Sequence, residues 1–550
     1  MIKPDSTDSQ PPNADQHTET TPLLPSPDAS STKKEHRWGK SVLYRALAVA
    51  FCVSLTFGIT QIPMLYVFRQ MTCDAFYTTH PSPQDSAAWD RCQVRRIEAD
   101  TARAVALLAA STTVFGILNL LVTGWSIKRW GVKPALLIQV FWPAIRLLVQ
   151  NIGVATGGEK GIVIMQASQI ITIVGGPNGY VLALNNFVTD VATHEERTGA
   201  LGRLQGCMMV GAALGFLIGG LIGGAWGVEM PFRLTLVLFV LCTVCIALAL
   251  PSIPRGERPD DKEVQKGGLK RFLGPLRIFA PQKWVRPDGS MRKHYGALNL
   301  GIGVFLGILA TGYIPTLLQM YSTNDFGFGT EANGWLIFIY SSLRGLFLSL
   351  VFPRIISAGR KWTAKREERD GKKEERERLK TADVPHMDDL PTEANGIEGL
   401  EPMENDGEPV NPPQRTDEKE TFDFDLYYAR FSLLLDGILT GLATFVFRGW
   451  HLYLVAVLLP FAAGTGAASK GVILQMLPGS ERVDALSGIT LVENFARLST
   501  TGVFGLVFAA LAEAGKSWLV FCCNAGVAMV GFTALLMVRF PEKGSRRSSD

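Results

Sequence analysis

What this chain lacks within its apolar runs is the first guide to it. Its seven histidines (17, 36, 80, 194, 294, 386 and 451) all fall between those runs or at their margins. The Asp-Asp pairs at 260–261 and 388–389 lie in polar stretches. A membrane-embedded enzyme using metal or acid–base chemistry places His, paired carboxylates or a nucleophile at depth. That absence argues against an enzyme, and no metal or cofactor is expected. There is no GxxxxGK[ST] loop, so direct ATP coupling is not expected. There is no N-x-[ST] sequon, so glycosylation cannot mark an outer face. About forty polar residues precede the first apolar run, so no cleaved signal peptide is expected.

Hydrophobic residues, by contrast, make up 47% of the 550 positions, and the mean hydropathy is +0.17. Runs near twenty residues occur at 43–68, 104–127, 134–153, 161–187, 200–225, 231–250, 295–319, 333–352, 426–447, 450–473, 486–512 and 517–538. Each is long enough to cross a bilayer as a helix. The expected fold is an all-α polytopic membrane protein of twelve transmembrane helices in two six-helix bundles. The first bundle is 40–250 and the second 295–540. A polar N-terminus (1–39), a linker (251–294), a long loop (354–425) and a tail (541–550) lie outside them. Residues 1–35 and much of 354–425 have the composition of disorder. In the linker, LKRFLGPLRIF spaces Leu269, Phe272, Leu273, Leu276 and Phe279 for a short amphipathic helix, on the membrane or against the protein.

The net charge of +4 says little, but its distribution says more. Lys33, Lys34, Arg37, Lys40 and Arg45 lie at the first run, and Lys128, Arg129 and Lys133 follow the second. The linker, 354–380 and the tail are also basic, and all fall on one side if both termini are cytosolic. The 69–103 segment, with Arg69, Arg91, Arg95, Arg96 and Arg103, is the exception. It also holds Cys73 and Cys92, the two cysteines of eight that lie outside apolar runs. A disulfide there suits an oxidising face, and spacing alone leaves two free thiols equally open. Glu19 to Leu24 fits an acidic dileucine sorting signal, so a vacuolar membrane stands beside the plasma membrane as a location.

Gly206 to Gly224 is apolar yet carries seven glycines, each costing up to about 1 kcal/mol in a soluble helix. In a bilayer the helix is retained, and small residues four apart (Gly211, Gly215, Gly219, Gly223) form a groove for a neighbouring backbone. That groove is expected at the interface between the two bundles. A weak repeat supports two related halves: the segment from Gly179 can be laid over that from Gly464, with Arg197 on Arg482.

These features resemble the major facilitator superfamily. The turn Gly124-Trp125-Ser126-Ile127-Lys128-Arg129-Trp130-Gly131-Val132-Lys133 is similar to its GxLaDrxGrk signature, with Lys128 where the family has aspartate. Gly206, Gly215, Gly219, Gly223 and Gly224 match the fifth-helix signature of drug/H+ antiporters, with Gly220 in place of proline. The arginine usual in the fourth helix of those antiporters has no counterpart here. CDAFY…DRCQVRRIEAD, VTDVATHEERTGALGRLQG, SSLRG, FDLYYARFSLLLDG and LVENFARL look like fungal relatives of tetracycline exporters and folate/heme carriers. The resemblance implies alternating access by rocking two halves, with a small molecule and protons as partners. It implies a monomer in the bilayer, with no nucleic acid.

Ionisable groups at membrane depth cost roughly 2.5–3.5 kcal/mol each and should face the bundle interior. They are Arg146, Arg344, Asp436, Glu493 and Arg497, with Lys470 and Arg430 nearer the ends where snorkelling accounts for them. Glu493 and Arg497 stand i,i+4, spaced for an ion pair that either neutralises itself or couples protons. Asp436 has no cation one turn away, and a carried proton needs such an isolated acid. Asp436 and Glu493 are therefore the proton-coupling candidates. Arg146 and Arg344 suit an anionic substrate or a structural pair. Gln61, Gln166, Gln169, Asn178, Asn299, Tyr313 and Gln319 extend the polar lining or hold helices together. Gly175-Gly176-Pro177-Asn178-Gly179 should break the fourth run. The expected function is proton-coupled transport of a small organic molecule, by efflux or vacuolar sequestration. Symport of a folate/heme-like or other organic anion is the alternative, and a non-transporting nutrient sensor a distant one.

Overall fold

A backbone at membrane depth has no water to bond, so apolar runs of this length must become helices. The structure is a computed structural model describing residues 40–80, 92–191, 197–252, 274–285, 290–381, 423–477, 482–541 and 546–547. Among them, ten helices are long and apolar enough to cross a membrane. The two other spans are span 4, broken within Gly158–Val191, and span 9, Asp423–Ala443, which carries acids and an arginine. Together they complete twelve spans.

The breaks recur in both halves. Span 1 divides into Lys40–Ile59 and Gln61–Thr79, and span 7 into Gly296–Thr311 and Ile314–Phe326. Span 4 passes from Gly158–Ala167 through a 3-10 stretch, Ser168–Ile173, to Pro177–Val191. Span 10 passes from Gly449–Leu458 through 3-10 Leu459–Ala462 to Thr465–Met476. The remaining spans are 2 (Arg95–Trp130), 3 (Val132–Thr156), 5 (Arg197–Trp226), 6 (Met230–Ala249), 8 (from Thr330), 11 (Arg482–Glu513) and 12 (Leu519–Leu536). Between spans 2 and 3, Gly131 adopts φ 92°, so the turn requires glycine there.

Three segments depart from expectation. The 354–425 segment begins as helix: span 8 runs to Leu346, makes a π-helical turn over Phe347–Val351, and continues as Phe352–Thr381. Its KREERDGKKEERERLK run is built of strong helix formers with acids and bases four apart, which favours helix over coil. In the linker, Leu269, Phe272 and Leu273 lie outside the described residues, as does the dileucine at 19–24. Gly274–Phe279 is a 3-10 turn whose Ile278 and Phe279 are buried, Phe279 against Gly301 of span 7. That part packs on the protein rather than on the membrane. Beyond it lies the one sheet among the described residues, in order β2-β1-β3: β1 Gln282–Val285, β2 Met291–His294 and β3 Arg546–Arg547, all antiparallel.

The glycine-rich span 5 has two working faces. Gly211, Gly215 and Gly219 lie against the Phe51, Leu55 and Ile59 carbonyls of span 1, within the first half. Gly220 faces the other way. A Cβ on it would lie 2.6 Å from the Thr330 carbonyl oxygen and 2.7 Å from Gly334 Cα of span 8. Gly223 and Gly224 also face Thr330 and Glu331. The groove is therefore mainly an intra-bundle contact, and only its last turn meets the other half. The ladder turns away because span 1 occupies that face. Gly206 has nothing within 4 Å of a Cβ. Where the signature has proline, this chain needs glycine because a second backbone occupies the space.

Candidate functional site

The disulfide is formed: Cys73, near the end of span 1, and Cys92 have Cα atoms 5.5 Å apart. It marks one end of the bundle, and the linker and tail mark the other. Two of the arginines that broke the charge pattern meet acids. Arg69 is buried and feels Glu98, and Arg103 bonds both Asp100 (2.8 Å) and Glu513 of span 11 (2.6 Å).

That same end carries the polar joints between the halves. Tyr66 Oη donates to the Phe328 carbonyl (2.6 Å) and lies 3.2 Å from Thr323 Oγ1. Asn333 Nδ2 donates to Tyr66 Oη (2.5 Å) and to Thr323 (2.8 Å), while Ser322 donates to Asn333 Oδ1 (2.5 Å). Gln319 Nε2 reaches the Ile62 carbonyl at 2.9 Å. Gln319 is thus part of a clasp between halves and not of a lining. Tyr313 is buried, with Oη 3.4 Å from Met320 Sδ and facing Gly505 of span 11. Helix packing, not a cavity, engages its hydroxyl.

At mid-depth the first half holds an amide cluster around the break in span 4. Asn119 of span 2 donates to Gln139 Oε1 of span 3 (2.9 Å) and accepts from the Gly179 amide (2.7 Å). Gln139 accepts from the Gly176 amide (3.0 Å) and donates to the Val174 carbonyl (3.0 Å). These two side chains replace the hydrogen bonds lost where Gly175-Gly176-Pro177 interrupts the helix. Asn178, expected in the lining, is exposed with its amide against Gly116. Gln61 is also exposed.

Nearer the disulfide end lies the first half's cation. Arg146 donates to Thr172 Oγ1 (3.1 Å), and its Nε is buried without a partner. No carboxylate pairs with it among the described ion pairs. Pro143, inside span 3, and the 3-10 stretch of span 4 bring these two residues face to face. Gln169 accepts from Thr112 (2.8 Å), Gln166 donates to the Ala104 carbonyl (2.8 Å), and Gln150 donates to Ser168 (3.2 Å). Gln150 Oε1 and Gln166 Oε1 are buried and unpartnered.

The second half holds the acids. Asp436 of span 9 is buried, and its Oδ2 lacks a hydrogen-bond partner, as do Thr440 Oγ1 one turn on and Asn524 Nδ2 of span 12. Arg344 of span 8 donates to Tyr340 Oη (2.6 Å) and interacts with Asp436 through its charge. Arg344, Tyr340 and Asp436 thus form one group. Glu493 does not pair with Arg497, which is exposed; its ion pair is with Lys470 of span 10, Nζ–Oε2 3.2 Å. Span 10 supplies the better geometry because Gly466, one turn before Lys470, lets Glu493 approach. Lys470 is therefore a partner and not a snorkelling end residue. Arg430 bonds the Leu535 and Val538 carbonyls, capping span 12.

Sequence reasoning passed over Asn119, Gln139, Asn333 and Tyr66. A lone amide in a long apolar run, as in GILNLLV and LLIQVFW, was the available signal for the first two. At the signature turn, Lys133 donates to the Ala247 carbonyl (2.8 Å), while Gly124 has open space around it and Lys128 and Arg129 are exposed.

Twelve spans in two halves with matching breaks, charges at depth and a clasp between halves define a polytopic membrane fold. The Major Facilitator Superfamily family model matches residues 97–365, and the chain has that superfamily's fold. It is similar to the human "Solute carrier family 67 member A1", 29% identical over 44% of this chain and 55% of that one. It also matches the "Major facilitator-type transporter psiT1" of Psilocybe cyanescens, 25% identical over 46% of this chain and 57% of that one. The chain thus spans little more than half the length of these curated relatives. Among solved structures, the human organic anion transporter MFSD10 superposes with TM-score 0.53 and 16% identity over 90% of this chain and 99% of that one. The nucleoside transporter NupG does so with TM-score 0.56 and 12% identity over 90% and 98%. Those solved structures are of transporters, and this chain is a multi-pass membrane protein with the same fold.

Proposed function

We propose that the chain moves a small organic molecule across its membrane by alternating access, driven by protons. The observation carrying this reading is the distribution of buried charge. A cation without a carboxylate (Arg146) lies in one half, and an acid with an unpartnered oxygen (Asp436) lies in the other. Groups so costly at membrane depth are retained for a ligand or a proton. Asp436 is the leading proton carrier, with Arg344 tuning it across the span 8–span 9 contact, and Glu493 is the second candidate. The clasp at the disulfide end corresponds to closure on that side, which is the outer side if both termini are cytosolic. Gly220, Gly223 and Gly224 against span 8 form part of the same closure.

Arg146 favours an organic anion as cargo, since a guanidinium accepts carboxylate or phosphate by paired hydrogen bonds. The match to a human organic anion transporter fold supports the same class. The span 5 glycine pattern favours efflux or vacuolar sequestration, and symport of a folate- or heme-like anion is the second direction. The test is pH-gradient-driven uptake of tetracycline and of folate into vesicles holding the full chain. Acid-driven movement of either probe is expected, falling at least tenfold in Asp436→Asn. Full activity in both Asp436→Asn and Glu493→Gln would remove the coupling assignment, and no gradient-driven flux of any probe would favour a sensor.

A further inference from the structure

Spans 9 and 12 pack antiparallel through small residues, and that seam fixes which side chains meet. A Cβ on Gly437 would lie 3.4 Å from the Ala528 Cβ, and one on Gly441 would lie 3.6 Å from that of Ala525. Further along, Thr444 Oγ1 lies 3.4 Å from Cys522 Sγ. Asp436 and Thr440 precede the two glycines, and Asn524 precedes Ala525. On antiparallel helices the residue before each contact residue turns by about 100° to the same side of the seam. Asp436, Thr440 and Asn524 therefore line one side of it, and they are 4%, 0% and 1% exposed.

Each of the three holds a polar atom that no other group bonds: Asp436 Oδ2, Thr440 Oγ1 and Asn524 Nδ2. Buried polar atoms are costly to leave so, and three together mark a built site. They are an acceptor, a hydroxyl that plays either role and an amide donor. A carboxylate and a hydroxyl would suit a metal cation, but the amide N–H would face it with the wrong sign. A ligand that donates and accepts serves all three, and one water does so. The charged and titratable groups around the acid are engaged elsewhere. Span 8 brings Arg344 and Tyr340, which bond each other at 2.6 Å. On span 10, Lys470 is paired with Glu493, and on span 12, Cys522 meets Thr444.

Building on the reading of Asp436 as the proton carrier, we infer that Thr440 and Asn524 are positioning residues. They hold one water against Asp436 Oδ2 and so satisfy the carboxyl in both of its protonation states. With the carboxylate charged, the water donates to Oδ2 and to Thr440 Oγ1 and accepts from Asn524 Nδ2. With the carboxyl protonated, its O–H donates to the water, and the other two bonds stay as they were. One hydrogen bond reverses, and the seam need not repack when the proton comes or goes.

The test is pH-difference infrared spectroscopy of the full chain in nanodiscs. The protonated carboxyl band of Asp436 is the one that Asp436→Asn removes. Thr440→Val and Asn524→Leu keep the shape of the side chain and remove its bond to the water. Each should move the midpoint of that band to higher pH by about one unit, because losing the water costs the charged carboxylate more than the neutral acid. A water O–H band, identified by its shift in heavy-oxygen water, should vanish in both. Thr440→Ser should restore the original midpoint. Thr444→Val, in the same seam but bonded to Cys522, should leave it unchanged. An unmoved midpoint in Thr440→Val and Asn524→Leu, or an equal shift in Thr444→Val, would overturn the positioning role and leave Asp436 as carrier. No band removed by Asp436→Asn would overturn both.

Discussion

The two halves break their helices at the same places and fill the breaks differently. In span 4 the interruption is closed by two amides, Asn119 and Gln139, which bond the freed backbone groups, and the nearby charge is Arg146. In the second half, Ser432 bonds Thr465 (2.7 Å) beside the break in span 10, and the nearby charges are Asp436, Glu493 and Lys470. The backbone design is shared, because a kink at depth lets a helix bend round a central path in either half. The side-chain chemistry is not shared: one half presents a cation lacking a carboxylate and the other a largely paired set with one spare acid oxygen. On the proposed reading, that asymmetry separates an anion's site from a proton's.

Three experiments separate the contributions of the halves. The largest effect is expected from glycine replacement. Gly215→Leu, inside the first half, drives a side chain into the span 1 backbone and should cut the yield of folded protein severely. Gly220→Leu, between halves, should leave folding largely intact but prevent closure at the disulfide end. Labelling of cysteines placed near Asn333 would then rise several-fold; unchanged labelling would assign Gly220 to packing alone. The next effect is expected at Arg146. Arg146→Gln should raise KM for an anionic probe about tenfold while changing kcat less, and Arg146→Lys should recover part of the loss. Equal loss for neutral and anionic probes would mean that the guanidinium only holds spans 3 and 4 together. The smallest concerns Lys470 and Glu493. Each single neutral replacement should lower the thermal midpoint by a few degrees, by leaving a half-buried charge unpaired. The double replacement should recover some of that. Additive losses would show that the pair carries no coupling.

Much of the site was visible in the residues, though not its pairings. Asp436 and Arg344 stood out as charges in apolar runs, and the structure brings them together from neighbouring spans. Glu493 and Arg497 looked like partners because they are four apart on one helix. Such spacing permits a contact without selecting it, and Lys470 on the next helix took the acid. Gln319 and Tyr313 stood open between cavity lining and helix–helix contact, because polarity within a run does not say which neighbour a side chain faces; the second holds. The glycine ladder was legible as a close contact, whereas its partner was not, since span 1 and span 8 lie on opposite sides of the same helix.

By itself the sequence determined the number of spans, the break in span 4 at Gly175–Gly179, and which charges lie within the apolar runs. Those follow from the cost of exposing backbone or charge to lipid, which is a local property of the chain. Only the tertiary structure decided that Gly220 meets Gly334, that Tyr66 and Asn333 clasp the halves, and that the tail pairs with the linker. Each of those joins residues far apart in the chain, where the packing of whole helices, and not the local run, chooses the neighbour.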